Sequence, residues 1–335
     1  MIERAELLAQ VAHLYYEDDL TQDEIARRIG TSRSTVSRML QEARETGVVE
    51  ITVHYHWKTV PEVERELMDR FRLPCARILL SRGRPYDEIL RGLGVLAARY
   101  VEDSLTDSSV GQQSCTQPQG LACNTIVPTM GISWGMAVYS TVRALRPASK
   151  RPIRVVQMVG AVGAGDPLTD GPDLARLLAG VYGGEYRYLH APLIVEDARS
   201  REVLLQEPRI RETLSLARRA DLALVGIGAP QAEVSSLLRA GYLDQQALAQ
   251  LRARGVAGDI CARHYDAWGD VLDVELNRRV VGVELEALHG IARVIGVAGG
   301  EAKAEAILGA LRGGHVNVLI TDDVTARKVL ALSAK

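Results

Sequence analysis

A run of hydroxyl and guanidinium side chains between residues 32 and 38 is well equipped to hold a polyanion. Serine and threonine hydroxyls donate hydrogen bonds to phosphates, and arginine adds a charged donor that also contacts base edges. From Arg27 to Gln41 the sequence has four arginines and no acidic residue, although the whole chain carries a formal net charge of -2. We therefore predict a local DNA-contacting surface. Its residues are Ser32, Arg33, Ser34, Thr35, Ser37 and Arg38.

Capping signals around this run predict two short helices joined by a tight turn. Thr21 and the glutamate three residues later form a capping box, which begins a helix. Gly30 permits the positive φ of a turn, and Thr31 or Ser32 caps the helix that carries the candidate DNA contacts. Val36 should face back into a small core, and this ordered spacing predicts a helix-turn-helix. A solvated helix in a small helical adaptor is the alternative.

The domain organisation follows from the change in pattern after this module. Residues 1–55 are predicted to form the DNA-binding domain, with alternating Val49, Ile51 and Val53 forming a short strand, as in a wing. Residues 56–335 alternate between apolar runs and longer helical stretches, which predicts a larger α/β domain with a mostly parallel sheet. The strand candidates are residues 76–80, 153–158, 222–227, 292–297 and 316–320. The helix candidates are residues 60–70, 87–101, 136–145, 174–181, 231–240, 301–311 and 324–332.

The turn after the strand candidate at 292–297 carries the clearest binding chemistry of this larger domain. Gly299 and Gly300 let the backbone approach a ligand, and the helix predicted to start at Glu301 would present free amides to an anion. Lys303 adds a positive charge in the first turn. A phosphate or a sugar hydroxyl would fit there. A tight strand-to-helix turn with a solvated lysine is the alternative.

Composition excludes several classes of protein. The N-terminus lacks an apolar signal core and no apolar run is long enough to span a bilayer, so we expect a soluble cytoplasmic protein without membrane contact. The four cysteines form no Cys-x-x-Cys pair and no histidine cluster accompanies them. We therefore expect no metal site and no cofactor.

Five segments of the sequence resemble the SorC family of sugar-responsive regulators. They are residues 15–51, GISWGMAVYS at 131–140, ADLALVGIGAP at 220–230, GDICARHYDAWG at 258–269, and the segment 294–330, which is the most specific. The resemblance implies an effector domain similar to sugar-phosphate isomerases that binds a sugar or phosphosugar, supports a homodimer or homotetramer, and has no enzymatic role. It also implies pocket residues in the Gly135 loop, including Met136 and Ala137, and at Asp259 and Lys303. Thr321-Asp322 matches a strand end of the family that is as readily structural as binding.

The sequence departs from this family at two places. Met136, Ala137 and Val138 stand where members with a phosphate site often carry hydroxyl or basic side chains, which leaves only backbone amides as donors. Residues 108–129 are rich in Gln, Ser, Thr and Pro and look like an inserted loop. Its Cys115 and Cys123 are idle thiols in the simplest interpretation; a lid or a redox-sensing pair is the alternative.

Two other functions remain open on the sequence alone. The first is a sugar-phosphate isomerase or deaminase fused to a DNA-binding module, which would need a positioned general base. Asp166, Asp170, Asp259 and Glu284 are the candidates, but none lies in a recognisable catalytic motif, so we assign no catalytic residue. The second is a scaffold without a ligand. The leading hypothesis is a regulator of a carbohydrate operon that binds operator DNA and is gated by a sugar or phosphosugar.

Overall fold

The computed structural model describes residues 2–49, 57–106, 127–163 and 169–334. It divides into two compact units, Met1–His56 and Trp57–Lys335. Among the described residues, no helix is both long and apolar enough to cross a membrane. The predicted wing falls almost wholly on residues 50–56, which lie outside the described ranges. Most of the predicted insertion at residues 108–129 lies outside them as well.

Over residues 2–49 the first unit contains three helices: α1 (Ile2–Tyr16), α2 (Gln22–Ile29) and α3 (Arg33–Glu45). The capping box at the start of α2 is confirmed, because Thr21 accepts from the Glu24 amide and the Glu24 carboxylate accepts from the Thr21 amide. Gly30 ends α2 with φ 70°, in the left-handed region predicted for the turn. Ser32, rather than Thr31, caps α3 by accepting from the Thr35 amide.

The three helices enclose a small apolar core. Val36 is fully buried in it, together with Ile25 and Leu40, while Ile29 is partly buried at its margin. Val11 and Leu8 of α1 close the other side. The ordered spacing in the sequence therefore predicted which residues face inward, because positions three and four apart share one face of a helix.

The second unit is built on a seven-stranded sheet in which every pairing is parallel, in the order β1-β9-β8-β5-β2-β3-β4. A two-stranded antiparallel ribbon, β6-β7, lies outside it. The strands are β1 Cys75–Leu79, β2 Thr129–Ile132, β3 Arg154–Gln157, β4 Glu185–Arg187, β5 Leu222–Gly226, β6 Gly258–Ile260, β7 Arg263–Tyr265, β8 Arg293–Val297 and β9 Val318–Asp322. The predicted fold class, a helix-turn-helix followed by a larger α/β domain, is confirmed.

Helices cover both faces of this sheet. Along β5, Leu222 and Leu224 point into one apolar core, whereas Ala223 and Val225 point into the other, because successive side chains of a strand alternate between faces. The helices are α4 Pro61–Phe71, α5 Tyr86–Thr106, α6 Met136–Ala144, α7 Gly171–Tyr182, α8 Ala198–Gln206, α9 Pro208–Arg218, α10 Ser236–Arg239, α11 Gln245–Ala253, α12 Glu275–Arg279, α13 Leu285–Leu288, α14 Ala304–Arg312 and α15 Asp323–Ser333.

The sequence-based assignment was wrong or incomplete where elements are short. The helix predicted over residues 231–240 is only the four-residue α10, and residues 301–311 begin as a 3₁₀ turn, Glu301–Lys303, before α14. The strand β4 was not predicted, because all three of its residues are exposed and give no apolar alternation.

The chain order creates a switch point in the middle of the sheet. From β2 the chain proceeds outward through β3 to β4, then returns to place β5 on the other side of β2 and continues through β8 to β9. The segments that follow β2 and β5 therefore leave the sheet in opposite directions. A crevice at the carboxyl ends of two such strands is where open α/β sheets hold ligands.

Candidate functional site

A cavity of about 360 Å³ opens at this switch point. The segments after β2, β5 and β8 line it, together with the β6-β7 ribbon, the start of α5, and α10. The lining residues are Tyr86, Asp87, Leu90, Ser133, Trp134, Gly135, Met136, Ala137, Gly226, Ile227, Gly228, Ser236, Arg239, Asp259, Cys261 and Lys303. Five of the seven residues predicted to bind an effector lie together here: Gly135, Met136, Ala137, Asp259 and Lys303.

Lys303 and Asp259 place opposite charges in the cavity wall. Lys303 is 8% exposed and its Nζ donates a 2.8 Å hydrogen bond to the Ile227 carbonyl. Burial lowers the pKa of Lys303 to about 8, although the attraction of Asp259 opposes that shift. Burial likewise raises the pKa of Asp259, against the attraction of His264 and Lys303. Burial therefore removes water from both charged groups, and a polar ligand would supply hydrogen bonds in its place.

The β6-β7 ribbon positions Asp259 through a strained turn. Cys261 and Ala262 both have left-handed φ values, 53° and 60°, which non-glycine residues adopt at a cost of about 1 kcal/mol or more each. In this conformation the Ala262 backbone lies near the Asp259 carboxylate and opposes the rise that burial causes in its pKa. Gly228 packs directly on that carboxylate, since a Cβ there would lie 2.1 Å from Asp259 Oδ1. The carboxylate is thus held from two sides.

The N-terminus of α6 forms another wall of the cavity. Gly135 has φ 105° and its amide donates to the Thr169 carbonyl, while the first helical bond is from the Tyr139 amide to the Gly135 carbonyl. The amides of residues 136–138 therefore have no acceptor within the helix, as at any helix start. With Met136 and Ala137 lining the cavity, these amides and the helix dipole favour an anion.

Gly299 and Gly300 do not line this cavity. The Gly300 amide donates a 2.8 Å hydrogen bond to Asp322 Oδ2, so it is already occupied within the protein. A Cβ on Gly299 would lie 2.6 Å from a methyl of Leu93, and Gly300 packs against the ring of Tyr86. The two glycines of this turn therefore make their contacts within the protein. The residue near this turn that lines the cavity is Lys303, which follows it.

Sequence reasoning missed Arg239 and Tyr86. Arg239 is exposed at the end of α10, donates to the Ser236 hydroxyl at 3.2 Å, and faces the cavity that contains Lys303. The positive charge of Arg239 acts on two other residues of the cavity lining. It helps to lower the pKa of Lys303, and it opposes the rise that burial causes in the pKa of Tyr86. No motif marked either residue; only the predicted helix over residues 231–240 placed Arg239 near a strand end.

The other carboxylates considered as general bases have structural partners. Glu284 pairs with Arg201 and with Arg263 at 2.8 Å. Asp170 caps α7 and accepts from the Val162 and Gly163 amides. Asp166 lies outside the described residues. Of the three that the structure describes, Asp259 alone lines the cavity.

The predicted DNA-contacting residues lie on one end of α3. Arg33, Ser34, Ser37 and Arg38 are exposed, and Thr35 is half-buried. Ser32 has a structural task as well, because its hydroxyl caps the helix and lies 2.9 Å from the hydroxyl of Ser34. Arg33 lies 3.9 Å from Asp23, an exposed pair that DNA phosphates can displace.

Comparison with known proteins connects both units to one family. Residues 55–331 match the family model described as "Putative sugar-binding domain", and residues 5–65 match a Crp-like helix-turn-helix domain. The deoxyribonucleoside regulator of Bacillus subtilis (strain 168) is 30% identical over 328 residues, covering 98% of each chain. The sorbitol operon regulator of Klebsiella pneumoniae is 32% identical, covering 97% of each.

The solved structures agree with this match. The crystal structure of the full-length sorbitol operon regulator SorC from Klebsiella pneumoniae aligns with a TM-score of 0.71 and 31% identity, covering 97% of this chain and 98% of that one. The helix-turn-helix, the parallel sheet and the near-complete coverage all point the same way. The chain belongs to the SorC family of transcriptional regulators.

Proposed function

We propose that this protein regulates a carbohydrate operon by binding operator DNA through α3 and a sugar or phosphosugar in the cavity at the switch point. One observation carries the proposal: a single cavity combines the N-terminus of α6, the cations Lys303 and Arg239, and the carboxylate Asp259. These are the groups that hold a phosphate at one end of a ligand and hydroxyls at the other.

The arrangement favours a phosphorylated ligand. Although Met136 and Ala137 supply no side-chain donors, the amides at the start of α6 are free of intrahelical acceptors, and Arg239 adds a charge that the sequence pattern did not reveal. Asp259 is suited to accept from sugar hydroxyls. Lys303 also lines the cavity and carries the opposite charge to Asp259, so it would donate a hydrogen bond to the phosphate or to a hydroxyl.

Ligand binding regulates only if the two DNA-affinity states bind the ligand unequally. A helix-turn-helix regulator usually recognises two half-sites as a symmetric dimer. We therefore propose that the protein acts as a homodimer or homotetramer whose DNA affinity the effector changes.

A regulator rather than an enzyme is supported by the relatives, which are named as regulators, and by the engagement of Asp170 and Glu284 in structural contacts. Among the considered bases that the structure describes, Asp259 alone lines the cavity. The enzyme alternative predicts turnover of any sugar phosphate that binds, so a product assay on each ligand distinguishes the two.

The test is calorimetry with a panel of sugars and sugar phosphates, starting from a thermal-shift screen. For a phosphorylated hit, Lys303→Ala should weaken binding by about 1.5–3 kcal/mol, the range for a hydrogen bond to a charged group. For a free sugar, Asp259→Asn should have the larger effect. Lys328→Ala is the matched control, because Lys328 is exposed on α15 and pairs with Glu301 outside the cavity lining.

The same titrations repeated with operator DNA present complete the test. The effector should bind with a different affinity when DNA is bound, by the same factor that it changes DNA affinity. Unchanged effector affinity in both cavity variants would place the site elsewhere.

A further inference from the structure

The two edge strands of the seven-stranded sheet, β1 and β4, differ in whether another segment of the chain pairs with their outer side. At the β1 edge, the segment before α4 covers the strand: the Val60 amide donates to the Ile78 carbonyl and the Leu80 amide donates to the Lys58 carbonyl. At the opposite edge, β4 pairs with β3 alone among the described residues. A groove of about 410 Å³ runs between this bare edge and α9.

The register of β4 determines which of its backbone groups face outward. The Glu185 amide donates inward, to the Ile153 carbonyl of the β3 side. Because inward and outward groups alternate along a strand, Glu185 and Arg187 pair inward and Tyr186 presents its N–H and C=O to the open edge. An incoming strand would therefore bond to Tyr186.

The side chains of β4 are complementary to their own copy. In an antiparallel pair centred on Tyr186, the two Tyr186 residues exchange their N–H and C=O bonds, and Glu185 of each strand lies opposite Arg187 of the other. Within one chain Glu185 accepts a 2.5 Å hydrogen bond from Arg154 and lies 3.7 Å from Arg187. Glu185 and Arg187 remain 47% and 57% exposed, so both side chains can also reach an incoming strand. Tyr186 is a large apolar side chain that remains 39% exposed.

We propose that β4 is a self-association surface, through which two copies of this chain join their sheets antiparallel about a two-fold axis at Tyr186. Opposite charges then meet twice, once on each side of the axis. The same strand paired in parallel register would set Glu185 against Glu185 and Arg187 against Arg187, so the charges select the antiparallel dimer. The proposal rests on the dimer proposed above, to which it assigns a surface, and does not depend on which effector the cavity binds.

Charge reversal with internal rescue tests this pairing in the full-length protein. Glu185→Arg alone and Arg187→Glu alone each create two like-charge contacts, and should raise the dimer dissociation constant about tenfold or more. The double variant E185R/R187E restores opposite charges and should return to within about threefold of wild type. Arg65→Glu on α4, which packs at the β1 edge, is the matched control and should not change assembly.

Sedimentation velocity over a concentration series gives the dissociation constants, and thermal unfolding shows that each variant is folded. A monomeric wild type, single variants that assemble like wild type, or a folded double variant that stays dissociated would each overturn the proposal. A second variant, Tyr186→Cys in a background with Cys115 and Cys123 changed to Ser, should oxidise to a dimer. The paired Cα atoms would lie about 5.5 Å apart, within disulfide range, and failure to cross-link while dimeric would also contradict it.

Discussion

The proposed DNA-binding surface and the proposed effector cavity are assembled over very different lengths of chain. The candidate DNA contacts occupy residues 32–38, and the signals that shape them lie between Thr21 and Leu40. The cavity instead joins Tyr86, Gly135, Arg239 and Lys303, with Asp259 on a separate ribbon. A local site depends on caps and helical spacing, whereas a site assembled from strand ends depends on long-range contacts that hold those ends together.

The largest effect is expected at Asp322, which ties the Gly299-Gly300 turn to the sheet. Its buried carboxylate accepts from the Gly300 amide, the Thr325 amide and the Thr325 hydroxyl. Asp322→Ala leaves these donors without a partner, so we expect a loss of about 3 kcal/mol or more in the free energy of unfolding. All three tryptophans lie in the second unit, so urea unfolding followed by tryptophan fluorescence reports this unit.

Asp173→Ala is the control for that measurement, because Asp173 is an exposed carboxylate paired with Arg176. It should change the unfolding free energy by less than about 0.5 kcal/mol. A similarly small effect at Asp322 would show that this long-range connection contributes little to the stability of the second unit.

The second effect concerns DNA affinity. Arg33→Ala or Arg38→Ala should each weaken operator binding by about 1–3 kcal/mol if the side chain contacts a base, and less if it contacts phosphate alone. Mobility shifts at fixed salt measure the change, with Arg65→Ala of the second unit as control. Unchanged affinity of the double variant would remove α3 from the DNA interface.

The third effect is a pH dependence confined to the cavity. The pKa of Lys303 is lowered to about 8, so its charge is lost as the pH rises through 8. If the phosphosugar binds only the protonated lysine, its dissociation constant should rise about tenfold between pH 7 and pH 9. Calorimetry should show this rise in wild type and a flat profile in Lys303→Ala; a rise of equal size in both would assign the titration to another group.

The smallest effect is expected at the cap of α2. Thr21→Ala removes the side chain that accepts from the Glu24 amide and should destabilise the first unit by about 1 kcal/mol. Hydrogen exchange of the α2 amides should accelerate while the tryptophan-detected unfolding of the second unit stays the same. Ser37→Ala, an exposed hydroxyl on α3, is the control. Equal protection in both variants would mean that the cap is dispensable.

The quality of the sequence-based predictions follows the same division. The capping box, the turn at Gly30 and the buried Val36 of the first unit were predicted correctly, because each depends on neighbours a few residues away. The core strands β1, β5, β8 and β9 were also predicted to within two residues at either end, since strands buried on both faces are continuous apolar runs. The exposed β4 and the short α10 gave no comparable signal.

For the cavity, the sequence indicated which strand ends could bind a ligand, but not which of their groups line the cavity. Lys303 was found through the turn before it and through a family resemblance, and Asp259 through the resemblance alone. That the Gly300 amide is occupied by Asp322, and that Arg239 reaches the same cavity as Lys303, follow from contacts between segments far apart in the chain.

The sequence by itself determined the helix-turn-helix and the α/β class of the second unit, because helical spacing, caps and apolar runs each depend on residues close together in the chain. The family followed from the resemblance of five sequence segments. Only the tertiary structure decided which charges share the cavity and which sheet edge has no further strand among the described residues. Strand order brings β2 beside β5 and leaves β4 outermost. That order results from the packing of helices on both faces of the sheet, a long-range balance that no short stretch of sequence encodes.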